Sequence, residues 1–220
     1  MANVIEFDAD AQPPFVVFEY LVGCSLHHYV DARPLTIEEA KPIVWDACQG
    51  LYAIHRAGMI HCDIKPENIY LQLDTGRIKE RFSFVPETDR DRYPVLSSVI
   101  IDFGTASAPW LTESVIAGTA HYAAPEQWNS GRGLAPLTAS CDMYAFASTV
   151  MEMLTGEPFF PDIPSEVVGT PTMTVDPIEQ HPRAGSLSRP LQQLLRDASH
   201  IDPTQRIGAD TFAQRFNALR

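Results

Sequence analysis

Apolar residues recur at two different spacings along this chain. Val4 to Phe7 and Phe15 to Tyr20 are short apolar runs separated by Asp8, Asp10 and two consecutive prolines, the pattern of two strands joined by a turn. Further on, Ala40, Ile43, Val44, Ala47, Leu51 and Ile54 keep the i, i+3, i+4 rhythm of a helix that buries one face. Thr36 with Glu39 three residues later opens this helix as a capping box, and Gly58 supplies its stop. Pro42 removes one donor in the second turn and predicts a kink there. Ser25 is placed to cap a shorter helix running through Val30.

From Met59 to Phe103 the period changes, and short β-like runs at Ile69 to Leu73 and Val95 to Ile101 flank a polar stretch from Asp74 to Pro94. The second half is helical: Asp142 to Leu154 ends at Gly156, Ser188 to Ala198 follows a proline-rich connection, and Asp210 to Leu219 closes the chain. The order is two strands and then a helical body carrying a small hairpin, an α+β arrangement with no domain linker and no internal repeat.

Composition narrows the class. The 220 residues suit one full domain or a piece of a larger one, and eighteen prolines predict many defined loops. A net charge of −12, with lysine only at 41, 65 and 79, argues against a nucleic-acid surface but leaves room for a nucleotide held by a few placed cations and a metal. Cys24, Cys48, Cys62 and Cys141 show no zinc-like spacing and read as reduced, buried small residues. No basic n-region precedes an apolar run, and no apolar stretch is long enough to span a membrane, so a soluble cytoplasmic protein is expected.

The segment richest in chemistry is His61-Cys62-Asp63-Ile64-Lys65-Pro66-Glu67-Asn68, which gathers a carboxylate, an amine and an amide oxygen in one proline-containing loop. Phosphoryl transfer needs such a set: a carboxylate to align the attacking hydroxyl, a cation for the transferring oxygens and an oxygen ligand for a hard metal. Asp102-Phe103-Gly104 follows an apolar strand and offers a second metal-binding carboxylate, with glycine allowing a sharp turn.

With H-C-D-I-K-P-E-N at 61–68, D-F-G at 102–104 and G-T-A-H-Y-A-A-P-E at 118–126, the chain resembles the eukaryotic-like protein kinase family, serine/threonine branch. The resemblance implies a kinase-like fold: a mainly helical large lobe with two residual small-lobe strands. As one partial domain, 1–20 would supply those strands and the start of the hinge, and 21–220 the rest of the hinge and the large lobe. It implies that Asp63 is the catalytic base, that Lys65 stabilises the transferred phosphoryl group and that Asn68 and Asp102 hold Mg2+. Thr119 would contact Asp63 and Lys65. The backbone of Glu19 and Leu21 would meet the adenine of ATP, with Phe18 as gatekeeper and Tyr70 beneath the base, stacking on it or filling its pocket. Asp142 would fix the catalytic-loop backbone and Arg206 would pair with Glu126, both structural roles. His61 and Phe103 are expected in the core, and His27 and His28 on an exposed helix face. Thr105, Ser107, Thr112 and Ser114 are expected as ordinary loop residues, with regulatory phosphorylation as the alternative.

The chain also departs from the family pattern. Alignment starts at Asn3-Val4-Ile5, which resembles the fourth small-lobe strand, so the glycine-rich loop and the strand lysine have no counterpart in these residues. Cys62 stands where an arginine usually reads activation-loop phosphorylation. Asn68 and Asp102 are 34 residues apart, a separation widened by the stretch from Asp74 to Pro94, which is expected to form an extended hairpin or loop that contacts a partner. Three readings stay open: a kinase acting on a protein hydroxyl, a pseudokinase scaffold, and a transferase acting on a small-molecule hydroxyl, which the A-P-E segment and Thr119 disfavour. An uncovered small-lobe face is expected to bind a protein partner or a second copy.

Overall fold

The computed structural model describes residues 3–31, 33–74, 93–107, 118–129, 137–161 and 176–220. Position 112, position 114 and most of the stretch between Asp74 and Pro94 lie outside these residues.

Strands β1 (Val4–Asp8) and β2 (Phe15–Phe18) pair antiparallel as a ribbon, with Val4 opposite Phe18 and Asp8 opposite Phe15. Ile5 and Phe7 are 67% and 71% exposed, and the other apolar side chains of the ribbon are also open to solvent. A second sheet has the order β3 (Gly23–Ser25), β4 (Ile69–Leu73), β5 (Val95–Ile100), antiparallel throughout. On β4, Ile69, Leu71 and Leu73 are buried while Tyr70 and Gln72 are half-buried on the opposite face, the period of two that a strand imposes.

Helix α1 (Leu26–Val30) starts at Ser25, whose hydroxyl accepts the His28 N–H. His28 is exposed, and the His27 side chain is 40% accessible. Helix α2 (Ile37–Arg56) opens with the complete capping box, the Thr36 hydroxyl taking the Glu39 N–H and Glu39 taking the Thr36 N–H. It runs on through Pro42 and buries Ala40, Ile43, Val44, Ala47, Cys48, Leu51 and Ile54, packing against β5 and against a later helix at Ala209–Asn217.

Helix α3 (Pro125–Asn129) is short; α4 (Ser140–Thr155) is buried on nearly every side, as expected for a helix apolar all round. Gly156 ends α4 in the left-handed region at φ +85°. Around α4 stand α5 (Pro177–Gln180), α6 (Arg189–Ala198) and α7 (Ala209–Asn217). Phe146 of α4 meets Phe212 of α7 edge-on at 5.4 Å, and burial of such a ring stabilises the fold by about 1.5–3 kcal/mol. All four cysteines are free and buried. The sequence pattern did not reveal β3 or α3. β3 is three residues long and ends on the α1 cap, and α3 is barely more than one turn.

Candidate active site

The loop from Ile60 to Asn68 connects α2 to β4 and is fixed by side chains from distant elements. Ile60 and Ser107 exchange two backbone hydrogen bonds of 2.8 Å, seating the loop beside the segment after β5. The Asp142 carboxylate, wholly buried at the start of α4, accepts the N–H groups of His61 at 2.9 Å and Cys62 at 2.8 Å. His55 of α2 adds a third contact, its Nε2 lying 2.9 Å from Asp142 Oδ2. Cys62 takes the left-handed conformation at φ 67°, which costs a β-carbon residue about 1–3 kcal/mol and persists only where its surroundings hold it. Its carbonyl is held too, by the Gln127 amide at 2.8 Å. The Cys62 thiol contacts that of Cys141, and this contact, burial and the Asp142 charge push the Cys141 thiol well up.

These restraints aim Asp63. Its Oδ1 accepts the Thr119 N–H at 2.9 Å and the Thr119 hydroxyl at 2.8 Å. Its Oδ2 lies 2.9 Å from Lys65 Nζ and accepts from Asn68 Nδ2 at 3.1 Å. Lys65 Nζ closes the triangle by donating to Thr119 Oγ1 at 2.7 Å. Burial pushes the Asp63 carboxyl up, but the Lys65 ammonium and the Thr119 donors outweigh it and hold it below the ordinary aspartate range. The result is an ionised carboxylate, an ammonium and a hydroxyl in mutual contact.

Asn68 is buried and ends a single 3₁₀ turn begun by Pro66. Its Nδ2 is spent on Asp63, donating to the carbonyl at 2.8 Å and to the carboxylate, so Oδ1 is the atom left to face a cation. Ile101 N donates to Asn68 O at 2.9 Å, which brings Asn68 and Asp102 to the same end of the β4–β5 pair. Asp102 is exposed, has φ 63°, and accepts the Gly104 N–H at 3.2 Å. Among the described residues no three His, Cys, Asp or Glu side chains form a ready-made metal cluster. One amide oxygen and one carboxylate are hard donors that suit Mg2+, which commonly keeps several waters and takes its other ligands from phosphates.

His61 lies in the core, its ring 5.1 Å from that of Phe103 and its Nε2 3.0 Å from Ile101 O, so it links the 60–68 loop to the Asp102 turn. Glu126 and Arg206 also come together, with Nη1 to Oε1 at 2.6 Å. The Glu19 side chain is engaged by Asn3, through its N–H and its amide at 3.0 Å each. The Tyr70 hydroxyl donates to Leu21 O at 3.2 Å, tying β4 to the segment that joins the two sheets. Reading the sequence did not single out His55 or Gln127. The one available signal was Gln127's place next to Glu126.

A carboxylate, an amine and an amide so arranged are the set that phosphoryl transfer calls for. Residues 2–216 match the protein kinase domain profile, and the chain belongs to that family. It is similar to the serine/threonine-protein kinase PknB of Mycobacterium tuberculosis, 31% identical over 209 residues, covering 91% of this chain and 29% of that relative. The serine/threonine-protein kinase Pkn1 of Myxococcus xanthus is 33% identical over 163 residues, 73% of this chain and 21% of the relative. A probable serine/threonine-protein kinase, pknA2, of Bifidobacterium longum is 33% identical over 160 residues, 70% of this chain and 18% of the relative. The chain thus spans less than a third of the length of these relatives. Among the described residues no helix is long and apolar enough to cross a membrane.

Proposed function

We propose that this chain transfers the γ-phosphoryl group of ATP to a serine or threonine hydroxyl of a protein. The contact triangle of Asp63, Lys65 and Thr119 carries this reading. An incoming hydroxyl takes the place of the Thr119 hydroxyl on Asp63 Oδ1 and gives its proton to that carboxylate as its oxygen bonds to phosphorus, with ADP leaving. Lys65 balances charge on the phosphoryl oxygens. Bound by Asn68 Oδ1 and Asp102, Mg2+ would supply charge neutralisation to the phosphates. The backbone at Glu19 and Leu21, with the Tyr70 ring below, would form the nucleobase site. Asp142, Glu126 and Arg206 hold this machinery without touching substrate. Four free cysteines suit a reducing cytoplasm.

The test is label transfer from ATP with Mg2+ to protein hydroxyls, with Asp63→Asn as control. Transfer by the native chain should fall about 100- to 10,000-fold in the variant. If the native chain gives no labelled product and no nucleotide-dependent rise in melting temperature, the reading fails.

A second reading, a pseudokinase scaffold, is supported by the open apolar ribbon of β1 and β2, a face suited to a protein partner or a second copy. Charged substitutions at Ile5 and Phe7 should then abolish association in light scattering while phosphate transfer is absent throughout.

A further inference from the structure

Gln127 is buried, and both ends of its amide are committed. Oε1 accepts the Ala124 N–H at 2.8 Å, and Nε2 donates to the Cys62 carbonyl at 2.8 Å. Only this amide orientation satisfies both neighbours, since one offers a donor and the other an acceptor. The Cys62 carbonyl belongs to the peptide that carries Asp63. With Asp142 on the N–H of Cys62 and Gln127 on its carbonyl, a residue at φ 67° is clamped on both sides.

The space this amide occupies is bounded by the other half of the site. A β-carbon on Gly118, at φ 144°, would lie 3.0 Å from Gln127 Nε2 and 3.3 Å from Cys62 O, so this contact is open only to glycine. The next residue is Thr119, whose N–H and hydroxyl hold Asp63 Oδ1. Gln127 holds the Cys62 carbonyl, the next residue is Asp63, Asp63 is held by Thr119, and the glycine before Thr119 leaves room for the Gln127 amide.

We infer that Gln127 is a positioning residue for phosphoryl transfer, setting the Asp63 carboxylate by holding the Cys62–Asp63 peptide against the Gly118–Thr119 turn. The inference rests on the kinase reading above. Gln127 does not reach the nucleobase or the residues assigned to the metal, so its loss should act on the transfer step and leave nucleotide binding intact.

The experiment compares the full native chain with Gln127→Met, which removes both hydrogen bonds at similar length, Gln127→Glu, which accepts but cannot donate, and Gly118→Ala. Steady-state transfer from MgATP to casein gives kcat and KM, thermal melts give the folded fraction, and the ADP-induced shift in Tm reports nucleotide binding. Each variant should lose about 100-fold in kcat per folded molecule, the scale of a misplaced reacting group, with KM for ATP and the ADP shift unchanged. The Gly118→Ala/Gln127→Met pair should be no worse than the lower single variant, because both act through one contact. Unchanged kcat per folded molecule in variants of an active native chain would overturn this inference alone. A variant set in which none folds also overturns it, since the role would then be purely structural. A native chain that transfers nothing overturns the kinase reading and this inference with it.

Discussion

Glu126 and Arg206 stand 80 positions apart and meet in a two-pronged ion pair, with Nη1 to Oε1 at 2.6 Å and Nη2 to Oε2 at 2.9 Å. The arginine side chain is wholly buried; it also donates to His200 O at 2.7 Å and Ser140 O at 3.0 Å, and lies 5.1 Å over the Tyr144 ring. One guanidinium therefore ties α3 to the start of α4 and to the connection between α6 and α7. Arg206→Met should strand the Glu126 carboxylate and cost about 3 kcal/mol, lowering Tm by about 10 °C in thermal melts. Glu126→Leu combined with Arg206→Met should recover part of that loss, because a pair removed together leaves no unpaired charge.

A second expectation concerns pH. The native Asp63 carboxyl is held below its ordinary range, so kcat/KM should have no Asp63 limb between about pH 5 and 8. Removing the neighbouring cation disfavours the ionised form, which raises the pKa. Lys65→Met should therefore show a slower reaction whose acid limb has moved upward, read from a pH–rate profile of label transfer.

Glu152 of α4 gives the opposite sign. Burial pushes its carboxyl up, against the Tyr122 hydroxyl that donates to it, and the nearby Glu67 and Asp31 push the same way. A raised carboxyl binds its proton more tightly in the folded state. It therefore stabilises the fold at low pH, and this contribution is lost as pH rises through the folded-state pKa. Glu152→Gln keeps an acceptor for Tyr122 and removes the charge. Its Tm should be about 2–4 °C above that of the native chain at pH 8, with the difference shrinking as the pH is lowered through that pKa.

The proposed nucleobase site makes Tyr70 a residue to vary. Its hydroxyl is held by Leu21 O, which fixes the far end of the ring; under the proposed function a face of that ring would be the floor for a base. Stacking of a base on an aromatic ring contributes about 1–3 kcal/mol, so Tyr70→Leu should weaken MgADP binding about 10-fold by calorimetry, and Tyr70→Phe should change it far less. Tighter binding by the leucine variant would mean that the ring fills the site.

What the sequence made legible follows the range of the forces involved. The α2 capping box joins residues three apart, so Thr36 and Glu39 could be read directly, and the chemistry of Asp63, Lys65 and Asn68 is packed into one continuous run. Gln127 and Cys62 are separated by 65 positions and carry no periodic signal, so their hydrogen bond emerges only from the fold. Cys62 and Asp102 are left-handed without being glycine, a conformation that long-range hydrogen bonds can impose and that local propensity does not report. The strand β3 escaped notice because its three residues find their partners on β4, more than forty positions away.

The bond from Asp74 N to Pro94 O, 2.9 Å long, closes the far end of the β4–β5 pair, opposite the end that carries Asn68 and Asp102. The described strand ends are thus joined to each other at this end by their own backbone. The two ends of one strand pair are therefore fastened separately, one by Asp74 and Pro94 and the other by Asn68 and Ile101, so a change confined to the first leaves the placement of Asn68 and Asp102 to bonds of its own.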